Sequence, residues 1–313
     1  MKVHHNNDSF SVFKNAVITI GTFDGVHHGH QKLIEKINVL AKEIAGESVL
    51  ITFEPHPRMV VFPDDRSLKI LSTIEEKILL LENLKVDHLV VIPFNKQFSQ
   101  LTAKEYVVDF LVGKFNPATI VIGYNHQFGH HRDGNVELLK KLSDQFNFSV
   151  EELNKQMIDD IEVSSTRIRI AIQEGDVKTA NQLLGHTYSL TGVVVKGNQL
   201  GRKLGYPTAN VKIEDNYKLI PADGVYAIRC IFEIEEKTVT KNAVCSIGFR
   251  PTVNGTYRTV EAFIFNFDGN IYNQKLTLEF VERIREEKKF ETLDLMVEEI
   301  KKDEERARAI LAK

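Results

Sequence analysis

The sequence predicts two architectures in succession. The first is an amino-terminal α/β domain with a doubly wound, Rossmann-like parallel sheet. The second is a carboxy-terminal all-β unit, a small antiparallel β-barrel or sandwich capped by a terminal helix. Three observations carry that prediction. Apolar β-branched runs alternate with helical runs through the first half. From about Thr187 strand-like segments follow one another, separated by Gly, Asn and Asp turns. The tail, "TLDLMVEEIKKDEERARAILAK", is helical, with acidic residues early and basic ones late, as the helix dipole favours. At 313 residues and 42% hydrophobic content the chain exceeds one small core. Domains over 1–184 and 185–313 are expected, with Gly185 as the hinge.

In order, "AVITIG" (Ala16–Gly21) is a strand. A helix follows, with Leu33, Ile34, Ile37, Leu40, Ala41 and Ile44 at helical spacing and Gly46 as its stop. "VLITF", "HLVVIPF" and "TIVIG" are strands, and the runs from Thr73, Thr102 and Asn135 are helices. Strands that are apolar throughout suit a parallel sheet covered on both faces. "TRIRIAIQEGDVKTANQLLGH" reads as two short helices. "YSLTGVVVKG", "GVYAIRCIFEI", "TVTKNAVCSIG", "TVEAFIFNF" and "QKLTLEFVERIR" are strands.

Net charge is −3, which supplies no basic surface for nucleic acid or anionic membrane. The two cysteines, Cys230 and Cys245, lie in strand-like runs outside any CxxC pair, so buried thiols in a reducing compartment are expected. "MKVHHNNDSF" has no apolar signal core, and no stretch approaches a membrane span, so the expected location is the cytoplasm.

In a parallel α/β sheet ligands bind beyond the carboxyl ends of the strands. The unusual loops fall there: "TFDGVHHGH", "EPHPR", "FNKQFSQL" and "GYNHQFGHHRDGN". A helix starting near Gly29 offers free N–H groups and a positive dipole end to a phosphate. Gly21, Gly25 and Gly29 let the backbone approach it. His27 and His30, three apart, can both face it and donate as charge builds during transfer. A metal-binding histidine cluster or a merely satisfied helix start are the alternatives. "VSSTRIR" (Val163–Arg169) supplies hydroxyls and helix-start N–H groups from Ser164, Ser165 and Thr166, and Arg169 can brace a phosphate.

"GTFDGVHHGH" resembles the signature of the HxGH nucleotidyltransferase superfamily. Together with "TFEPHPR" and "VSSTRIR", it resembles the bacterial bifunctional riboflavin kinase/FAD synthetase family. The resemblance implies that Gly21, Phe23, Asp24, Gly29, Ser164, Ser165, Thr166 and Arg169 bind ATP. It implies a flavin near Pro55, His56, Pro57, Asn125 and Phe128, where flat rings can stack. The fourth loop departs from the family's G-x-D-F-x-F-G: Asn125 replaces Asp and His126 replaces Phe. Asn125 keeps the ability to hydrogen-bond a ribose, phosphate or flavin edge.

In the second half "GVVVKGNQLGRKLGYPTAN" carries Gly192, Gly197, Gly201 and Gly205, a loop able to wrap phosphates with backbone N–H groups, though it is no Walker A sequence. Thr208 and Asn210 are hard oxygen ligands suited to Mg2+. "GYPTAN" resembles the riboflavin kinase signature, as do "GVYA", "VEAFIFNFDG" and "SIGFRPTVNG". The resemblance implies that Gly197, Gly201, Arg202, Gly205, Thr208 and Asn210 bind ATP phosphates and metal. It makes Glu261 the base for the riboflavin 5′-hydroxyl and sets the "SIGFRPTVNG" loop near the flavin. Phe263 and Asn266 stand where the family often has His and Asp.

Two reactions are implied: ATP phosphorylates riboflavin to FMN, and AMP passes from a second ATP to FMN, giving FAD and pyrophosphate. Mg2+ serves both sites, and the partners are small molecules, with no nucleic acid and no membrane. The oligomeric state is left open. Three alternatives stand beside this: a nucleotidyltransferase for another phosphorylated substrate, a flavin-binding storage or regulatory protein, and an active kinase with a feeble synthetase.

Overall fold

The computed structural model describes residues 1–5, 13–65, 67–153, 163–197, 201, 204–252 and 255–313. The chain divides into two compact units, Met1–Ser165 and Thr166–Lys313.

The first unit is built on six parallel strands. They are β1 (Lys2–His5), β2 (Val17–Ile20), β3 (Ser48–Glu54), β4 (His88–Pro93), β5 (Thr119–Gly123) and β6 (Ser149–Leu153), in the order β1-β4-β3-β2-β5-β6. Successive residues of a strand point to opposite faces, and both faces are covered here. Ile18, Ile20, Ile51, Val90 and Ile120 enter one layer with Tyr106, Phe110 and Leu139. Leu50, Leu89 and Val91 enter the other with Ile34 and Leu81. That two-sided burial explains the unbroken apolar runs of the inner strands. Edge strands β1 and β6 are half exposed and largely polar, and the apolar pattern did not foresee them.

Helix α1 spans His28–Glu43. The helix expected from Thr102 is capped there, but runs as α-helix only over Ala103–Glu105 before a π-helical stretch, Tyr106–Val112. From β2 the chain builds toward β3 and β4 on one side, then returns to place β5 on the other. The carboxyl ends of β2 and β5 therefore flank the point where strand order reverses, the place where such sheets bind ligands.

The boundary between the units falls at the first residue of the helix Ser165–Glu174, and the helix Val177–Leu184 follows, ended by Gly185 in the left-handed conformation at φ 76°. The barrel comprises β7 (Tyr188–Val195), β8 (Ala209–Lys212), β9 (Gly224–Ile234), β10 (Lys237–Thr252), β11 (Gly255–Ile264) and β12 (Lys275–Arg285). It closes in the order β10-β11-β8-β7-β12-β9, which leaves no free edge. Tyr226 and Phe280 fill its interior edge to face, 5.3 Å between centroids.

The terminal helix, Leu293–Leu311, packs Ala307 and Leu311 on Ala227 and Phe265. Arg285 fixes it by a two-pronged contact with the buried Asp303, Nε to Oδ1 at 3.0 Å and Nη2 to Oδ2 at 2.7 Å. Replacing Asp303→Ala removes the two-pronged partner of a largely buried guanidinium and leaves it the longer ion-pair contact with Glu299 at 3.7 Å. We expect a loss of roughly 3–5 kcal/mol, read as a lowered denaturant midpoint for the second unit.

Candidate active sites

The turn from β2 into α1 is contorted. Phe23, Gly25 and Val26 all take positive φ, at 46°, 82° and 42°. Buried polar groups hold them. One oxygen of the Asp24 carboxylate accepts the backbone N–H groups of Leu71 and Ser72 at 2.8 and 3.1 Å. The Ser72 hydroxyl accepts the Gly25 N–H at 3.0 Å, and the Ser165 hydroxyl donates to the Asp24 carbonyl at 3.1 Å. Asp24 thus braces the turn from behind. Phe23, 1% exposed, lies under the turn and packs on His30 at 5.0 Å.

His27 occupies the N-cap of α1 but does not cap the helix with its side chain. First-turn N–H groups that the His27 side chain does not cap, together with the positive dipole end, suit an anion. The His27 and His30 rings stack with centroids 3.6 Å apart and 15° between their planes. His30 Nδ1 is sealed from solvent with no hydrogen-bond partner. Burial, then the charges of His27 and Lys77, hold the His30 imidazole well below its ordinary range, so it is neutral at pH 7. Two imidazoles at a helix start, with the His30 ring neutral, suit donation to a phosphate that gains charge.

The loop after β3 places His56 at the N-cap of a short helix, Pro57–Val61, where its Nδ1 accepts the Arg58 N–H at 3.2 Å. Pro55 and Pro57 frame that cap, with Pro55 exposed. After β5, Asn125 is exposed, whereas Phe128 is buried and stacked on Tyr106 at 5.1 Å. Phe128 therefore anchors the loop, with one face of its ring occupied. Burial and the nearby Arg132 charge push His126 down to about 4.

Ser164 precedes the helix Ser165–Glu174, and Thr166 and Arg169 lie within its first turns. The last two belong to the second unit.

In the barrel, Asn210 of β8 stands opposite Glu261 of β11 in the antiparallel ladder, which puts both side chains on one face. The Thr208 hydroxyl donates to Glu261 Oε2 at 3.2 Å. Gly197 lies so close that a Cβ there would sit 2.4 Å from the Asn210 amide nitrogen. A Cβ on Gly201 would meet the Tyr206 carbonyl at 2.3 Å. The loop backbone can close on Asn210 and Thr208 only because both positions are glycine. Gly205 adopts φ 83° in open space. Tyr206 packs against Phe263, 5.1 Å between centroids. Arg202, Val253 and Asn254 lie outside the described residues.

Ser72, Thr52 and Lys77 escaped the sequence reading. Lys77 carried a signal: it occupies the core-facing stripe of Ile74, Ile78 and Leu81.

A parallel α/β unit with paired histidines at a helix start, followed in the chain by a closed barrel with a Thr–Asn–Glu cluster, defines a two-part nucleotidyl- and phosphoryl-transferring enzyme. The FAD synthetase family matches residues 10–167 and the riboflavin kinase family residues 184–311. The bifunctional riboflavin kinase/FMN adenylyltransferase of Buchnera aphidicola subsp. Schizaphis graminum is 38% identical, over 92% of each chain. That of Haemophilus influenzae is 35% identical over 95% of each, and that of Bacillus subtilis 34% identical over 93% of this chain and 91% of its own. A solved structure from Streptococcus pneumoniae, described as a macrolide-efflux protein, superposes with a TM-score of 0.83 at 34% identity, over 94% of each chain. Among the described residues of this chain no helix is long and apolar enough to cross a membrane. The chain belongs to the bifunctional riboflavin kinase/FMN adenylyltransferase family.

His4, His30 and His126 are all held below the ordinary histidine range, in each case chiefly by burial. The unfolded chain takes up those protons near pH 6.5, while the folded chain does not. The first unit should therefore be fully stabilised above about pH 6.5 and lose stability as pH falls below it. Thermal melts across that interval check this.

Proposed function

We propose that the barrel, within residues 185–313, phosphorylates riboflavin with ATP to FMN, and that residues 1–184 transfer AMP from a second ATP to FMN. In the first step Glu261 takes the proton of the riboflavin 5′-hydroxyl while its oxygen attacks the γ-phosphorus and ADP leaves. The observation that carries this reading is the cluster of Thr208, Asn210 and Glu261. It sets a carboxylate beside two hard oxygen ligands, under a loop free of side chains at Gly197 and Gly201.

Mg2+ fits this cluster: the Thr208 proton goes to Glu261, and the hydroxyl lone pairs and the Asn210 carbonyl remain for a cation. Bound there it would neutralise charge on the transferring phosphoryl group.

In the second step an FMN phosphate oxygen attacks the α-phosphorus of ATP, the α–β phosphoanhydride bond breaks, and pyrophosphate departs. No side-chain nucleophile is required. His27 and His30 donate to the α-phosphate oxygens, aided by the α1 N-terminus. Ser164, Ser165, Thr166 and Arg169 are assigned to the leaving pyrophosphate. Pro55, His56, Pro57 and Asn125 are assigned to FMN, with Phe128 supporting their loop from below.

Cys230 and Cys245 are buried, which pushes both thiols up and keeps them unreactive. Such thiols suit a reducing compartment, and we place the enzyme in the cytoplasm.

Chromatographic separation of flavins after incubation with riboflavin, ATP and Mg2+ tests both steps. Glu261→Gln should lower FMN formation by roughly 10²–10⁴-fold while leaving FAD formation from supplied FMN near wild type. His30→Ala should do the reverse, with a loss of roughly 10²–10³-fold in FAD formation. Absence of both products from the wild-type chain would remove the assignment.

A further inference from the structure

Lys77 lies outside every motif of the adenylyl-transfer reading, on which this inference rests. It sits on the helix Ile74–Glu82 and is 5% exposed. An ammonium is buried this deeply only when its lost hydration is made good. Here Nζ donates to the Thr22 carbonyl at 2.7 Å and to the Thr52 hydroxyl at 3.1 Å. The Thr52 hydroxyl donates in turn to the same carbonyl at 3.1 Å. These contacts tie the Ile74–Glu82 helix, the end of β3 and the start of the β2–α1 turn into one closed triangle.

Both direct partners of the ammonium are uncharged. Asp24 and Glu54 act on Lys77 only through space, and one Asp24 oxygen already holds two backbone N–H groups. A contact ion pair would cancel most of the field of the cation, whereas Asp24 and Glu54, acting through space, offset only part of it. A positive charge thus stands behind the turn whose front presents the α1 N-terminus and the paired imidazoles. It also opposes protonation of His30, as His27 does.

We propose that Lys77 is a positioning residue for adenylyl transfer, locking the Thr22 carbonyl to the end of β3 and setting a buried ammonium behind the turn that receives the nucleotide α-phosphate. It does not touch the reacting atoms. It holds the shape and potential of the turn that does.

The test uses the full-length chain. Lys77→Met preserves the stem and removes the charge with both hydrogen bonds, whereas Lys77→Gln retains a donor without the charge. Riboflavin phosphorylation, assigned to the other unit, serves as the internal control. For Lys77→Met we expect kcat for FAD formation to fall roughly tenfold or more, with KM for ATP changed by less than about threefold. Lys77→Gln should fall by a smaller factor. In nitrogen-15 NMR the His30 titration midpoint should rise in both variants, because a like charge has gone while His27 stays.

FAD formation at the wild-type rate in Lys77→Met, or an unmoved His30 midpoint, overturns the proposal. Should Lys77→Met fail to fold, the same two readouts on Lys77→Gln decide it. A wild-type chain that makes FMN but no FAD would sink the adenylyl-transfer reading separately. The His30 midpoint then still decides whether Lys77 acts on the turn.

Discussion

The backbone from Thr22 to His27 would not hold its shape unaided. A left-handed valine or phenylalanine is disfavoured by contact between its side chain and the chain itself, and each such residue stores about 1–3 kcal/mol. Phe23 and Val26 both adopt that conformation within four residues. What offsets the strain is a set of buried hydrogen bonds, several to charged groups, worth about 1.5–3 kcal/mol each when a charge takes part. Asp24 in the turn itself, Ser72 and Lys77 around the start of one helix, and Ser165 far along the chain contribute them. The outcome is two imidazoles stacked at an uncapped helix start, at the point where the strand order of the sheet reverses. The stacked imidazoles and the start of α1 keep this arrangement only while that turn stays folded back.

The barrel solves its positioning problem by register. Antiparallel pairing of Asn210 with Glu261 determines that their side chains share a face, and Thr208 reaches the same carboxylate from the strand entrance. The constraint on the loop above is an absence of atoms: Gly197 can lie against the Asn210 amide because it has no Cβ. Barrel closure keeps this ladder from slipping, since a one-residue shift would turn Glu261 to the opposite face. One unit therefore builds its site from a strained turn and the other from a regular ladder. The first needs buried polar braces, and the second needs little beyond correct pairing.

Much of this was legible in the amino-acid string. The inner strands announced themselves because burial on both faces demands unbroken apolar runs. The histidines at 27 and 30 stood out because a strand end meeting a helix start is where backbone N–H groups are free. Asp24 was legible as part of the turn, but its task was not, because Leu71 and Ser72 are 47 and 48 residues away. Phe128 looked like a platform for a flat ring and proved to be stacked on Tyr106, a contact no local pattern encodes. The edge strands β1 and β6 were missed for the complementary reason: half exposed, they carry histidines and glutamates where inner strands carry isoleucine.

Local chemistry and periodicity by themselves determined that this chain has an α/β half, with a glycine- and histidine-rich turn leading from a buried strand into a helix, followed by an antiparallel all-β half closed by a terminal helix. Those properties depend on residues close together along the chain, where propensity, spacing and dipole direction act. Tertiary structure alone decided which side chains restrain the strained turn, that Lys77 is buried against neutral oxygens, and that Asn210 faces Glu261. The reason is physical: buried polar groups take their partners from whatever the fold brings within about 3 Å, and the chain order does not specify that distance.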